Sequence, residues 1–150
     1  MKKKAMSRSE NMARIRSKNT EPEMAIRKLL YHHGYRYRLH RNDLPGKPDL
    51  YLGKYKTAIF INGCFWHVHE DCSDFKLPKS NREFWEDKLK ANKVRDQKNY
   101  SELIENGINV VVVWECTIKK HLKNDEDQEF LLTELSEAIH SEKAFDEICI

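Results

Sequence analysis

Four candidate metal ligands, Cys64, His67, His69 and Cys72, fall within nine residues, and Cys116 follows 44 residues after Cys72. No other feature restricts the fold of this chain so strongly. The amino terminus is basic (Lys2, Lys3, Lys4), but no apolar stretch follows it, so the expected compartment is a reducing cytoplasm rather than a secretory route. In such a compartment clustered Cys and His indicate a metal site rather than disulfides. A tetrahedral zinc ion takes four soft or borderline ligands. Cys64, Cys72 and Cys116 with one of the two histidines make a Cys3His set. Cys149, near the carboxyl terminus, is the weakest candidate. The competing reading is ordinary buried cysteines beside surface histidines. The compactness of the cluster, and Glu70 and Asp71 inside it, speak against that. Four protein ligands leave no open position, so the expected ion is structural, and one histidine of the cluster is left without a metal role.

The chain has 150 residues, enough for one domain with a substantial core. Charged residues make up 34%, above the usual globular share of about 25%. The net charge of +3 hides a strong asymmetry: residues 121–150 hold two bases and nine acids, while residues 1–120 hold 25 bases and 15 acids. A body at +10 beside a tail at −7 points to a polyanionic partner. No apolar run reaches the roughly 18 residues of a membrane helix, and no repeat is visible.

The pattern divides the chain into a basic arm at 1–19, a central domain at 20–120 and an acidic helical segment at 121–150 packed on that domain. Within the arm, Met12 and Ile15 share one face of a short helix. Thr20 or Asn19 caps a helix with Pro22 in its first turn, an apolar stripe of Met24, Ile26, Leu29 and Leu30, and Gly34 at its end. After a polar hairpin region, Asp49–Leu52 and Thr57–Ile61 are expected strands, spaced for an antiparallel hairpin. A charged helix is expected from about Asn81 to Ile104, with Phe84, Trp85, Leu89 and Val94 as its apolar points. A buried strand covers 108–114, and an acidic helix covers 126–140 with Phe130, Leu131, Leu135 and Ile139 facing inward. Helices around a central apolar strand make one mixed α/β domain.

Pro48-Asp49 at a strand start has the form of the first half of a PD-(D/E)xK nuclease motif. There a carboxylate on a rigid strand holds Mg2+ beside the scissile phosphate. The second half, an acid-x-Lys on the next strand, is missing, and Phe60-Ile61-Asn62 stands in its place. Glu23 offers a further carboxylate. Two aromatic pairs, Phe65-Trp66 and Phe84-Trp85, lie among Lys76, Lys79, Arg82, Lys88, Lys90, Lys93, Arg95 and Lys98. Aromatic residues among bases suit stacking on, or wedging between, nucleobases.

Together these residues resemble the very short patch repair (Vsr) family of DNA mismatch endonucleases. The resemblance is carried by Arg8-Ser9-Glu10-Asn11-Met12, Leu44-Pro45-Gly46-Lys47-Pro48-Asp49, Gly63-Cys64-Phe65-Trp66-His67, Glu83-Phe84-Trp85, Asn92 with Arg95-Asp96, and Val113-Trp114-Glu115-Cys116. It implies a restriction-endonuclease-like mixed sheet flanked by helices, with a structural zinc. It implies Mg2+-dependent nicking of one strand 5′ to the thymine of a T·G mismatch left by deamination of 5-methylcytosine. By position, the resemblance makes Asp49 the carboxylate of two Mg2+ ions, with the backbone carbonyl of Ile61 as another ligand. It makes His67 the catalytic histidine and Glu23 an assisting acid. Its zinc ligands are Cys64, His69, Cys72 and Cys116. DNA contacts fall at Met12, Ile15, Phe65, Trp66, Trp85, Lys88, Asn92 and Arg95. Asn62 stands where well-studied members have a second histidine; it cannot take a proton at neutral pH, so only a hydrogen-bonding or water-holding part in catalysis is left to it. The zinc loop runs one residue longer than in the best-known member. The resemblance further implies a monomer in the bacterial cytoplasm, nucleoid-associated when acting, with MutL and a DNA polymerase as downstream partners. Two alternatives stay open on the residues: a nuclease of a restriction system acting on another DNA target, and a zinc-stabilised DNA-binding module without activity.

Overall fold

The computed structural model describes residues 20–70, 72–73 and 75–150, so the arm with Met12 and Ile15 lies outside the described residues. Helix α1 (Glu21–His32) starts as its residues dictate: the Thr20 hydroxyl accepts from the Glu23 N–H at 3.4 Å, and Pro22 occupies the first turn. Gly34 follows its end with φ +88°. Short strands β1 (Arg38–Leu39) and β2 (Leu50–Leu52) lead through a 3-10 turn (Gly53–Tyr55) into β3 (Thr57–Asn62). Helix α2 (Arg82–Glu105), strand β4 (Asn109–Trp114), helices α3 (Glu115–His121) and α4 (Asp125–His140), and strand β5 (Phe145–Ile148) complete the order.

The five strands form one mixed sheet in the order β1-β2-β3-β4-β5. The first three pair antiparallel, and β3, β4 and β5 run parallel. β3 and β4 are buried on both faces, as their apolar runs require. Ile59, Val111 and Val113 point to a core shared with Ile26 and Leu30 of α1, Ile118 of α3, and Leu131 and Leu135 of α4. Ala58, Phe60, Val110 and Val112 point the other way, to Tyr100 and Leu103 of α2. Each such fully buried Leu or Ile contributes about 1.5–3 kcal/mol of transfer free energy. The crossovers β3–α2–β4 and β4–α3–α4–β5 advance in the same direction across the sheet but run over opposite faces. They therefore have opposite hands, and one departs from the right-handed preference.

Several expectations need correction. Phe130 is 49% exposed, because the buried stripe of α4 is Leu131, Leu132, Leu135 and Ile139. Phe84 and Val94 of α2 are exposed at 57% and 64%; that helix meets the sheet through Tyr100 and Leu103, and Leu89 is the buried residue of its first half. Met24 of α1 is exposed as well. Two elements were not foreseen. α3 begins directly from β4, and β5 is a short acidic edge strand whose Asp146 and Glu147 mask its periodicity, a composition that also protects a sheet edge from further pairing. No helix among the described residues is long and apolar enough to cross a membrane.

Candidate active site and metal centre

Two ligand groups gather at the carboxyl end of β3. The first is built around Asp49, which enters β2 after the turn at Leu44–Pro48. That turn is held by Gly46 (φ +77°): a Cβ there would sit 3.0 Å from Asn99 Cβ and 3.1 Å from Phe60 Cε1, so the loop docks against α2 and β3 only as glycine. Asp49 Oδ2 accepts from the Ile61 N–H at 2.8 Å, which ties the carboxylate to the end of β3. Glu23 reaches it from α1. Glu23 is 2% exposed; its Oε2 accepts from Arg27 Nη2 at 2.5 Å and its Oε1 lies 2.8 Å from His40 Nε2. Arg27 Nη2 also lies 3.4 Å from His40 Nε2. Burial, then the hydrogen bond to Glu23 and its charge, push the Asp49 carboxyl up to about 8, against the Ile61 N–H and Arg27, which favour the ionised form. Ligand atoms of Glu23, His40 and Asp49 all lie within 4.8 Å of one another. Burial and the neighbouring Glu23 raise the proton affinity of Asp49, and a divalent cation between the two carboxylates removes the conflict. The donor set therefore fits a divalent cation.

His40 and Arg27 were missed at the level of sequence. His40 lay in a stretch read only as a polar hairpin, and Arg27 reads as one of many surface bases. Only the bend after β1, with His40 at φ +46°, brings the imidazole over Glu23.

The second group hangs on the segment after β3. His67 N–H bonds the Gly63 carbonyl at 3.2 Å and His69 N–H the Cys64 carbonyl at 2.9 Å, a tight fold that turns successive side chains to different neighbours. His67 Nδ1 lies 2.6 Å from Asp96 Oδ2 of α2. An Asp carboxylate on Nδ1 fixes the tautomer that leaves Nε2 able to accept a proton. Asp96 was quoted only within a motif, without a role. Asn62 is buried, and its Nδ2 donates to Tyr100 Oη at 2.9 Å, so its contact is with a tyrosine. Asn62, His67, Asp96, Tyr100, Trp114 and Glu147 line an open cleft of about 550 Å³ between α2 and the ends of β4 and β5.

His69 lines the same cleft, but its ring faces the thiols. Cys64, His69, Cys72 and Cys116 place one ligand atom each within 4.8 Å of the others, with His69 Nδ1 3.4 Å from Cys116 Sγ. The His69 ring stacks on Trp114 at 4.1 Å and 7°. Cys64 follows β3 and Cys116 opens α3 after β4, so the cluster joins the ends of neighbouring parallel strands. Burial pushes the Cys64 and Cys116 thiols up. Thiolates there need a cation, and three Cys and one His are the donor set of a closed structural zinc site. Cys149 is not among the four, yet its Sγ lies 3.2 Å from His69 Nε2.

The aromatic residues form one cluster. Phe65 meets Trp66 at 5.2 Å and Trp85 at 5.6 Å between ring centroids; Trp66 meets Trp85 at 6.0 Å, and Phe84 meets Trp85 at 5.3 Å. None of the four belongs to either buried core cluster. The Asn92 amide donates to the Trp66 carbonyl at 3.2 Å, and Arg95 Nη2 donates to Asn92 Oδ1 at 2.9 Å. Lys88 is exposed, its ammonium 5.9 Å from the Phe84 ring centre. Three neighbouring bases meet carboxylates: Arg82 with Glu86, Lys93 with Glu70 and Lys98 with Glu102.

The family model described as DNA mismatch endonuclease Vsr matches residues 2–74. The type II nicking enzyme V.NmeAIP of Neisseria meningitidis serogroup A / serotype 4A is 45% identical over 132 residues, covering 88% of this chain and 94% of its own length. The type II nicking enzyme V.XorIIP of Xanthomonas oryzae pv. oryzae is 48% identical over 107 residues, 71% of this chain and 78% of its own. The DNA mismatch endonuclease Vsr of Escherichia coli is 40% identical over 113 residues, 75% and 72% of the two chains.

Proposed function

The chain belongs to the Vsr family of DNA mismatch endonucleases, and from that premise we propose that it nicks one DNA strand 5′ to the thymine of a T·G mismatch by Mg2+-dependent hydrolysis, as in very short patch repair, on a restriction-endonuclease-like fold. The observation that carries this reading is the pairing of Glu23 with Asp49 and of His67 with Asp96, both tied to the end of β3.

In this reading Asp49, assisted by Glu23 and the Ile61 carbonyl, would hold the Mg2+, two ions being expected. A divalent cation there supplies positive charge to the phosphate and lowers the pKa of water. Asp96 holds the His67 imidazole with Nδ1 protonated, so Nε2 takes the proton from the attacking water. Asn62 acts through Tyr100, a hydrogen-bonding part rather than proton transfer. Phe65, Trp66 and Trp85 enter the base stack, where unstacking costs a few kcal/mol per step and less at a mispair. Asn92, whose amide donates to the Trp66 carbonyl, contacts DNA beside the wedge. Lys88 and Arg95 neutralise phosphates, which positions the duplex without reading its sequence. The arm with Met12 and Ile15 approaches from the other groove. Zinc on Cys64, His69, Cys72 and Cys116 locks the strand ends and takes no part in the chemistry. The protein acts as a monomer in the bacterial cytoplasm, at the nucleoid, upstream of MutL and a DNA polymerase.

Identities of 45% and 48% to type II nicking enzymes favour a second reading, a nicking enzyme of a restriction system with a different DNA target. One gel separates the two: T·G and fully matched duplexes, incubated with Mg2+ at low salt. Selective nicking of T·G by the wild type and none by Asp49→Ala supports mismatch repair. Equal cutting of both duplexes supports the second reading. An intact T·G duplex, or a mutant as active as wild type, defeats the mechanism.

A further inference from the structure

We propose that His40 is a further protein ligand of the catalytic cation, beside Asp49, Glu23 and the Ile61 carbonyl, making the Glu23–Asp49 site a mixed nitrogen and oxygen site that binds Mn2+ in preference to Mg2+. The inference rests on the proposed nuclease reading of that site and adds a residue and a metal preference to it.

Three observations converge on His40. Its Nε2 lies 2.8 Å from Glu23 Oε1, and one ligand atom from each of His40, Glu23 and Asp49 falls within 4.8 Å of the other two. Two donors bound to one ion at about 2.0–2.2 Å from it are separated by roughly 3 Å, so Glu23 Oε1 and His40 Nε2 already have the spacing of adjacent ligands. Next, Glu23 is held from its other side. Arg27 Nη2 bonds Glu23 Oε2 at 2.5 Å within a buried i,i+4 pair, which directs Oε1 toward His40 and sets the carboxylate for one-oxygen binding. A site supplied with single oxygens gains from a nitrogen donor. Lastly, His40 is kept in the left-handed region at φ +46°, a conformation that side chains other than glycine seldom adopt. Its N–H bonds the Asp49 carbonyl at 3.3 Å, so the bend carrying the imidazole is fastened to the residue that carries the carboxylate.

The charges suit the assignment. Arg27 offsets one of the two carboxylates, so a divalent cation leaves a small positive excess that a bridging phosphate can neutralise. Donor chemistry then sets the preference. Mg2+ strongly favours oxygen and near-ideal octahedral geometry, whereas Mn2+, the first of the transition metals in the affinity order for nitrogen and oxygen sites, gains more than Mg2+ from an added imidazole.

The test uses zinc-loaded, full-length protein without DNA, titrated with Mn2+ and read by electron paramagnetic resonance, followed by pulsed measurement of nitrogen coupling to the bound ion. The wild type should show the modulation of a directly bound imidazole nitrogen. His40→Gln should lose that signal and bind Mn2+ about tenfold more weakly, while Mg2+ affinity, measured by competition, changes by less than about twofold. His40→Asn, a residue that tolerates positive φ, repeats the measurement where His40→Gln lowers the melting temperature. Persistence of the nitrogen signal in both variants overturns the proposal. So does an equal loss of Mn2+ and Mg2+ affinity, which would make His40 a holder of Glu23 and no ligand. Asp49→Asn separates the underlying reading: undiminished Mn2+ binding in that variant means that this is not the catalytic cation site at all.

Discussion

Replacing Asp49 with asparagine should end cleavage and, at alkaline pH without Mg2+, stabilise the fold. The Asp49 carboxyl is raised from 3.8 to about 8, first by burial and then by Glu23. Each unit of such a shift corresponds to about 1.4 kcal/mol, so ionising this group inside the folded protein costs up to about 6 kcal/mol. The sign follows from linkage. The folded value lies above the unfolded one, so the contribution is fully present below the unfolded value and is lost as pH rises through about 8. Wild-type stability should therefore decline between roughly pH 4 and 8 and level off above. Asparagine keeps the shape and an N–H···O capacity but has no charge to bury, so the variant lacks this decline.

At pH 9 the gap between the two proteins is largest. In a chain of 150 residues about 1 kcal/mol moves the melting temperature by roughly 2–4 °C, so even a fraction of the ceiling is measurable. The assay is thermal melting of zinc-loaded, Mg2+-free protein from pH 5 to 9, repeated with added Mg2+. Added cation should raise the wild-type melting temperature at pH 9 and leave Asp49→Asn unmoved, because only the wild type binds it in the native state. Parallel pH profiles for the two proteins, or a variant less stable than wild type at pH 9, would refute the claim that Glu23 and Asp49 are in electrostatic conflict.

Asp96→Asn should lower kcat by about 10²–10⁴ with KM little changed, since it disturbs the tautomer of His67 and no ground-state contact; single-turnover nicking checks it. Cys116→Ser should reduce zinc below the expected one ion per chain and lower the melting temperature, read by metal analysis beside calorimetry. Gly46→Ala must fit a methyl group 3.0 Å from Asn99 Cβ at positive φ, and should cost about 2–4 kcal/mol in denaturant melts. Lys88→Ala and Arg95→Ala should each reduce the slope of log affinity against log salt by about 1, with mismatch preference kept.

What the sequence made legible follows from how local each signal is. Capping at Thr20, the stop at Gly34 and the double-faced strands at 57–62 and 109–114 depend on neighbouring residues, and the structure has them near the expected places. Cys64, His69 and Cys72 are close in the chain, so their convergence needs one tight turn; Cys116 joins them because β4 lies beside β3. His40 and Asp96 depend on contacts 17 and 29 residues away in sequence, whereas Arg27 meets Glu23 only four residues away and is masked by the many other bases of the chain. Nothing in the immediate surroundings of His40 separates it from His32 or His33. The strand β5 escaped for a different reason: Asp146 and Glu147 interrupt its apolar pattern, yet the edge position tolerates them.

The charge asymmetry takes on a different meaning in three dimensions. Seven bases and one acid at 1–19 account for +6 of the +10 in the first 120 residues. The stretch 88–98 adds five bases against Asp96, and there Lys93 and Lys98 meet Glu70 and Glu102. Exposed pairs of this kind are worth about 0.2–1 kcal/mol, less than the release of condensed counterions offers a base that moves to a phosphate, so they do not keep α2 from binding DNA. The carboxylates of α4 sit on the other side of the sheet, since Leu131, Leu132 and Leu135 pack against Val111 and Val113 while Tyr100 and Leu103 of α2 pack against Val110 and Val112. Two packed layers of about 10 Å each separate the helices, more than twice the Debye length of about 8 Å at physiological salt. The acids therefore do little to neutralise the α2 face, and they repel a duplex that approaches the wrong one. A nearly neutral chain thus presents a polyanion with a field of opposite sign on its two faces, which orients an approaching duplex more than its average charge suggests.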